Sequence, residues 1–193
     1  MLGSKTVVQR INIGQHTVWI KQLAADKVDA TLYREELLSF VQKKVDLSIT
    51  QISHDRRGKP YLPELPNYSI SISHTGSWIA FGISKYGDIG IDLELENPKI
   101  KSASSLFLNA YEQSIFPHAT VPDLHLIWGA KEAVYKCFGG TIESLQKDIT
   151  ITSINQDQKQ IHVTAYDQPV CCNYRIISEK YYLVVCATAA PTQ

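Results

Sequence analysis

Between Ile89 and Glu96 the chain reads IGIDLELE, placing Ile91, Leu93 and Leu95 on one side of an extended strand and Asp92, Glu94 and Glu96 on the other. Such alternation predicts a half-buried strand whose carboxylates repel one another unless they are solvated or meet a cation. Upstream, NYSISISHTGSWIAFGIS (67–84) has the same period, and turns at His74–Ser77 and Lys85–Asp88 make residues 68–96 read as a three-stranded antiparallel meander. A further strand is expected around His16–Lys21. From about Ala30 to Val45, Leu37, Leu38, Phe40, Val41 and Val45 recur at helical spacing. The segment HDRRGKPYLPELPNY (54–68), with Gly58 ahead of Pro60, Pro63 and Pro66, predicts an irregular loop. After Asn97–Pro98–Lys99 the period becomes helical, around Ser104–Phe116 and Pro122–Phe138. Strands return at Ile149–Ser153, Lys159–Tyr166 and Tyr174–Ala187.

The helix containing WGAKEAVYKCF (128–138) departs from plain amphipathicity. At 100° per residue, Leu124, Ile127, Trp128, Val134, Tyr135 and Phe138 form its apolar face, and Lys131 falls in the middle of that face. An amine there must be paired or snorkel to water. Glu132 and Lys136, one turn apart at the border of the face, either pair with each other along the helix or reach into a cleft. The chain also echoes itself: NYRIISEKYYLVVCAT (173–188) repeats the Asn-Tyr opening, Ile-Ser pair, turn and apolar strand of residues 67–84. As a duplication, this gives two helix-plus-sheet lobes sharing a cleft.

Composition narrows the possibilities. The chain has 193 residues, 44% hydrophobic and 20% charged, with 19 basic and 19 acidic side chains. That length suits one large domain or two small lobes. Zero net charge gives no electrostatic basis for binding nucleic acid or a membrane surface. Cys137, Cys171, Cys172 and Cys186 lack metal-ligand spacing and read as reduced thiols. No apolar run is long enough for a bilayer, so the cytoplasm is the expected location.

The candidate chemistry lies in four places. Asp92, Glu94 and Glu132 are hard oxygen ligands of the type Mg²⁺ accepts. Ser69, Ser71 and Ser73 share a strand face ahead of His74, offering hydroxyls, turn amides and an imidazole to an anion. Arg56, Arg57 and Lys59 cluster in the 54–68 loop. Lys131, Glu132 and Lys136 share one helix.

In this order and spacing, GKPYL (58–62), SISHTGSW (71–78), GIDLE (90–94) and WGAKEAVYK (128–136) resemble the surfactin-type 4′-phosphopantetheinyl transferases. LFLNAYEQSIF (106–116) is similar to the helix those enzymes carry between the last two motifs. Ser71 stands where the family often has asparagine, and the family's early basic segment is poorly matched. The resemblance implies an α+β fold of two similar lobes related by a pseudo-two-fold, 1–98 and 99–193, with the site at their interface. It further implies Mg²⁺ on Asp92, Glu94 and Glu132, and coenzyme A contacted by Arg56, Arg57, Lys59, Ser73, His74 and Lys136. Arg34 joins Arg56, Arg57 and Lys59 as candidates for the 3′-phosphate.

The activity so implied is transfer of 4′-phosphopantetheine from coenzyme A to a serine of an apo acyl or peptidyl carrier protein, releasing adenosine 3′,5′-bisphosphate. Glu132 and Lys136 are its catalytic candidates, and the protein is expected to be a monomer. The clustered carboxylates also suit a metal-dependent phosphohydrolase or nuclease, and a non-catalytic carrier- or coenzyme A-binding member of the family is the third possibility.

Overall fold

The computed structural model describes residues 8–13, 16–23 and 30–188, so the ends of both expected lobes, 1–7 and 189–193, lie outside the described residues. Strands β1 (Val8–Ile13) and β2 (His16–Gln22) lead to helix α1 (Ala30–Lys44). Two-residue strands β3 (Ser53–His54) and β4 (Pro60–Tyr61) bracket the basic loop, and β5 (Ser69–Thr75), β6 (Trp78–Ser84) and β7 (Ile89–Leu95) follow. Next come α2 (Ile100–Ala103), a 3₁₀ turn at Ser104–Leu106, α3 (Ala110–Ile115) and α4 (Val121–Cys137). Strands β8 (Ile149–Asn155), β9 (Gln160–Ala165), β10 (Gln168–Ile177) and β11 (Tyr181–Ala187) complete an α+β fold.

The single helix expected over 104–116 is interrupted. The 3₁₀ turn stops at Leu106, and Asn109 starts α3 with a capping box, its side chain accepting from Glu112 N while Glu112 accepts from Asn109 N. The strand β1 lay outside the sequence reading.

The meander is corrected as well. β5 and β6 pair as expected, but β7 leaves them to pair antiparallel with β11, Asp92 opposite Val184. One sheet has the order β1-β2-β6-β5 and the other β7-β11-β10-β9-β8. The two echoing segments both form antiparallel hairpins, β5–β6 and β10–β11.

Burial organises these parts into layers. Leu37, Phe40 and Val41 of α1 cover Ile70, Ile79 and Phe81 on one face of the first sheet. Its other face, with Val18, Ile20 and Ala80, packs on Ile89, Ile91, Leu93, Leu183 and Val185 of the second. The far face of the second sheet, with Tyr182, Val184 and Cys186, is covered by Leu124, Ile127, Ala130 and Val134 of α4. β7 therefore turns its aliphatic side to the first sheet and its acidic side to α4. Gly90 permits that approach, since a Cβ there would lie 1.9 Å from Ala133 O and 2.4 Å from Cys137 N.

As an edge strand, β7 has backbone N–H groups on its outer side without a ladder partner. The alternating serines of β5 fill that role: Ser69, Ser71 and Ser73 Oγ accept from the N–H groups of Ile89, Ile91 and Leu93 at 3.2, 2.9 and 3.1 Å. Side-chain hydroxyls thus join the sheets where a backbone ladder is missing. Ser71→Ala should strand the buried Ile91 N–H and lower stability by about 1–3 kcal/mol, measured by urea unfolding. A variant as stable as the parent would show that water replaces the hydroxyl.

Candidate active site

The acidic face of β7 meets one stripe of α4. Because the strand and helix run in opposite directions, Gly90 lies against Ala133 and Cys137, Asp92 beside Gly129 and Lys136, and Glu94 beside His125. Asp92 is buried, 3% exposed. Its Oδ1 accepts from Lys136 Nζ at 2.6 Å and from Ser73 Oγ at 3.1 Å, while Oδ2 is buried without a hydrogen-bond partner. Lys136 thus pairs across to β7, in preference to the along-helix pairing that its spacing from Glu132 allowed.

Two of the carboxylates, Glu94 and Glu132, have raised proton affinity. Burial first, then the charge and hydrogen bonding of Asp92, pushes Glu94 up to about 7 against opposing contributions from Trp128 and Lys136. Burial, followed by the charge of Asp92, also raises Glu132, with Lys136 opposing. Among the described residues no three acidic, histidine or cysteine side chains stand in a ready-made metal-ligating arrangement. The donor set nevertheless fits a hard divalent cation: a buried carboxylate oxygen lacks any partner, and two neighbouring carboxylates are destabilised by proximity to it.

A cleft of about 1010 Å³ opens beside this acidic pocket, between α1, the basic loop, β5 and the end of α4. Arg34, Arg57, Lys59 and Lys136 give its lining a cationic character, and His54 and His74 lie among them. The loop is set by Asp55, whose Oδ1 accepts from Arg57 N and Lys59 N at 2.8 and 2.9 Å, and by Gly58 at φ +84°. Lys59 Nζ forms an ion pair with Asp88 and reaches Cys137 O at 3.4 Å, joining the loop to the end of α4. His74, exposed at the end of β5, packs against Tyr33 with ring centroids 4.7 Å apart, and burial pushes the Tyr33 phenol up to about 12.

The sequence-predicted residues therefore divide. Arg57, Lys59, His74 and Lys136 line one cleft with Arg34, and Asp92, Glu94 and Glu132 gather where Lys136 crosses from that cleft. Arg56 is exposed and is not among the lining residues. Ser73 is turned inward, donating to Asp92 and accepting from Leu93 N and, at 3.3 Å, from Lys136. Tyr33, His54 and His125 went unnoticed in the sequence, where each is an isolated residue with no flanking pattern.

Lys131 has the buried partner that its place on the apolar face requires. Its amine meets Glu112 Oε1 at 2.8 Å and donates to Leu145 O at 3.0 Å and Ile149 O at 2.5 Å, both side chains of the ion pair being fully buried. It holds α4, α3 and β8 together behind the site.

A buried acidic edge strand, closed by a lysine-bearing helix beside a cationic cleft, defines an α+β protein equipped to hold a polyanion. The model of the 4′-phosphopantetheinyl transferase superfamily matches residues 88–187, from the start of β7 to the end of β11. The chain belongs to the 4′-phosphopantetheinyl transferase superfamily.

Among curated relatives, a 4′-phosphopantetheinyl transferase of Bacillus subtilis is 27% identical over 134 residues, 67% of this chain and 59% of that protein. The 4′-phosphopantetheinyl transferase Sfp of Bacillus subtilis (strain 168) is 27% identical over 151 residues, 76% of this chain and 66% of that protein. The 4′-phosphopantetheinyl transferase AcpT of Escherichia coli (strain K12) is 30% identical over 100 residues, 48% and 51% of the two chains. The chain thus spans less than two thirds of the length of these relatives.

Proposed function

We propose that this protein transfers 4′-phosphopantetheine from coenzyme A to a serine hydroxyl of an apo acyl or peptidyl carrier protein, releasing adenosine 3′,5′-bisphosphate. The observation that carries this reading is Lys136, a single side chain that lines the cationic cleft and also pairs with the buried Asp92. A nucleotide held in the cleft has its pyrophosphate delivered to the carboxylates.

Arg34, His54, Arg57 and Lys59 supply cationic and hydrogen-bonding groups for the phosphates of coenzyme A, with Arg56 at the rim of the loop. Asp92, Glu94 and Glu132 would hold Mg²⁺, which when bound supplies positive charge to offset the negative charge developing on the leaving phosphate as the phosphoanhydride breaks. Glu132, its proton affinity raised by burial, accepts the proton of the carrier serine directly or through a water. The serine Oγ forms a bond to the phosphorus nearer the pantetheine, and the bond from that phosphorus to the bridging oxygen breaks. The electron pair leaves with adenosine 3′,5′-bisphosphate. Lys136, 27% exposed, is free to swing from Asp92 onto the leaving phosphate, with His74 steadying the same oxygens and Ser73 supporting Asp92 from behind.

The same proposal divides the chain into lobes 1–98 and 99–193, related by a pseudo-two-fold, with β7 as the strand that crosses between them. The protein is read as a cytoplasmic monomer acting without nucleic acid or membrane; among the described residues no helix is long and apolar enough to cross a bilayer. Incubation with coenzyme A, Mg²⁺ and an apo carrier tests the reaction. Hydrolysis of generic phosphodiesters without carrier modification would favour the phosphohydrolase alternative.

His74→Ala should weaken coenzyme A binding about tenfold or more, the loss of one charge-assisted hydrogen bond, as read by titration calorimetry. If His74 serves the 3′-phosphate, dephospho-coenzyme A will be much less affected; if it serves the pyrophosphate, both ligands will weaken alike. Unchanged affinity for both would remove His74 from the site.

A further inference from the structure

His125 is buried in α4, 2% exposed, and its two ring nitrogens have different surroundings. Nε2 accepts a hydrogen bond from the backbone N–H of Asn97 at 2.9 Å, just past the end of β7. An imidazole nitrogen that accepts carries no proton, so the neutral ring keeps its proton on Nδ1. That Nδ1 is buried without a hydrogen-bond partner and lies 3.8 Å from Glu94 Oε2. The ring is held flat against Tyr182, with centroids 5.2 Å apart and planes 4° apart, and Tyr182 OH is itself bonded to Glu96. The imidazole therefore cannot turn Nδ1 away from Glu94 by a ring flip without losing its backbone bond, and cannot leave its plane without losing its stack.

We infer that His125 is a positioning residue for Glu94: its Nδ1–H donates to the Glu94 carboxylate in the metal-loaded site, fixing which oxygen faces the cation. A modest rotation of Glu94, which is 28% exposed, closes the 3.8 Å gap, whereas the histidine is fixed. This arrangement satisfies the buried Nδ1–H, which otherwise lacks a partner. It also supplies the outer-shell donor by which a ligating carboxylate is oriented. The inference rests on the proposed assignment of Glu94 to the metal.

Two isosteric substitutions separate positioning from anchoring. Asparagine places its amide nitrogen near Nδ1 and loses the acceptor for Asn97 N–H; glutamine places its amide oxygen near Nε2 and loses the donor to Glu94. Mn²⁺ affinity of the full chain, measured by calorimetry without coenzyme A, should fall roughly tenfold to a hundredfold in His125→Gln and stay near wild type in His125→Asn. The opposite order, or equal affinities in all three proteins, would overturn the inference. Equal weakening in both variants would do the same by assigning His125 to packing on Tyr182.

Asp92→Asn serves as the control. If it binds Mn²⁺ as well as wild type, the metal assignment fails and the inference fails with it, independently of the histidine variants. Should a variant not fold, the wild-type protein still decides: imidazole NMR should place the proton on Nδ1 and shift its resonance when Mg²⁺ is added. A proton on Nε2, or an unmoved Nδ1–H, would overturn the inference.

Discussion

Asp92→Asn is expected to lower carrier modification by at least about a hundredfold in a protein that folds and melts close to wild type. The substitution preserves shape and the contact with Ser73 but removes a charge shared by everything around it. Asp92 Oδ2 has no partner to lose, and Lys136 is exposed enough to be rehydrated when its ion pair is cut. The effect should therefore fall on turnover and metal binding, with little on stability. Glu94→Gln is expected to follow the same direction. Glu96→Ala is not, because that exposed carboxylate is bonded to Tyr182 OH and lies at the far end of the strand. Full Mg²⁺-dependent activity in folded Asp92→Asn, or equal inactivity of Glu96→Ala, would move the metal elsewhere.

Lys131→Met should lower stability by about 3–5 kcal/mol, the cost of removing one partner of a buried ion pair and leaving the other charged. Burial holds the Lys131 amine below the usual lysine range, while the hydrogen bond and charge of Glu112 oppose that shift and keep it paired. Glu112 has further duties, accepting from Asn109 N at 2.8 Å and Ile151 N at 2.7 Å, so its loss would weaken the cap of α3 and leave the Ile151 N–H without its acceptor. The Lys131→Met, Glu112→Gln double variant, which removes both charges but keeps only one of the two acceptor oxygens, should recover part of the loss. Urea unfolding of Lys131→Met, Glu112→Gln and the double variant measures the coupling. If Lys131→Met alone were within about 0.5 kcal/mol of wild type, as for a surface site, the amine would have to be in water.

These two residues also mark how far the sequence can be read. That Lys131 must be paired or reach water followed from helical geometry alone, but its partner Glu112 lies on another helix, and periodicity says nothing of contacts between elements. The alternation of residues 89–96 correctly divided β7 into an apolar side and an acidic side, with Leu95 partly exposed at the strand's end. It could not say that β7 pairs with β11 in place of β6, because a period of two specifies faces and not edges. The alternating serines at 69, 71 and 73 read in the sequence as donors to an anion; in the structure Ser69 and Ser73 donate to Asp88 and Asp92, and all three accept from N–H groups of β7. Asp92, Glu132 and Lys136 were legible because an ordered set of motifs fixed their spacing. His125 was not, since its significance lies in a bond to the backbone of Asn97, which leaves no mark in composition or period.

Group transfer to a carrier protein is read out by the intact mass of the carrier. The protein is incubated with coenzyme A, Mg²⁺ and a panel of apo acyl and peptidyl carriers, with Asp92→Asn in parallel. At least one carrier should gain the mass of a single 4′-phosphopantetheine group, on its serine and with stoichiometric adenosine 3′,5′-bisphosphate, only with the wild-type protein and only when Mg²⁺ is present. Carriers that stay at their apo mass while a folded wild-type protein binds coenzyme A would contradict it and leave a binding protein in place of an enzyme.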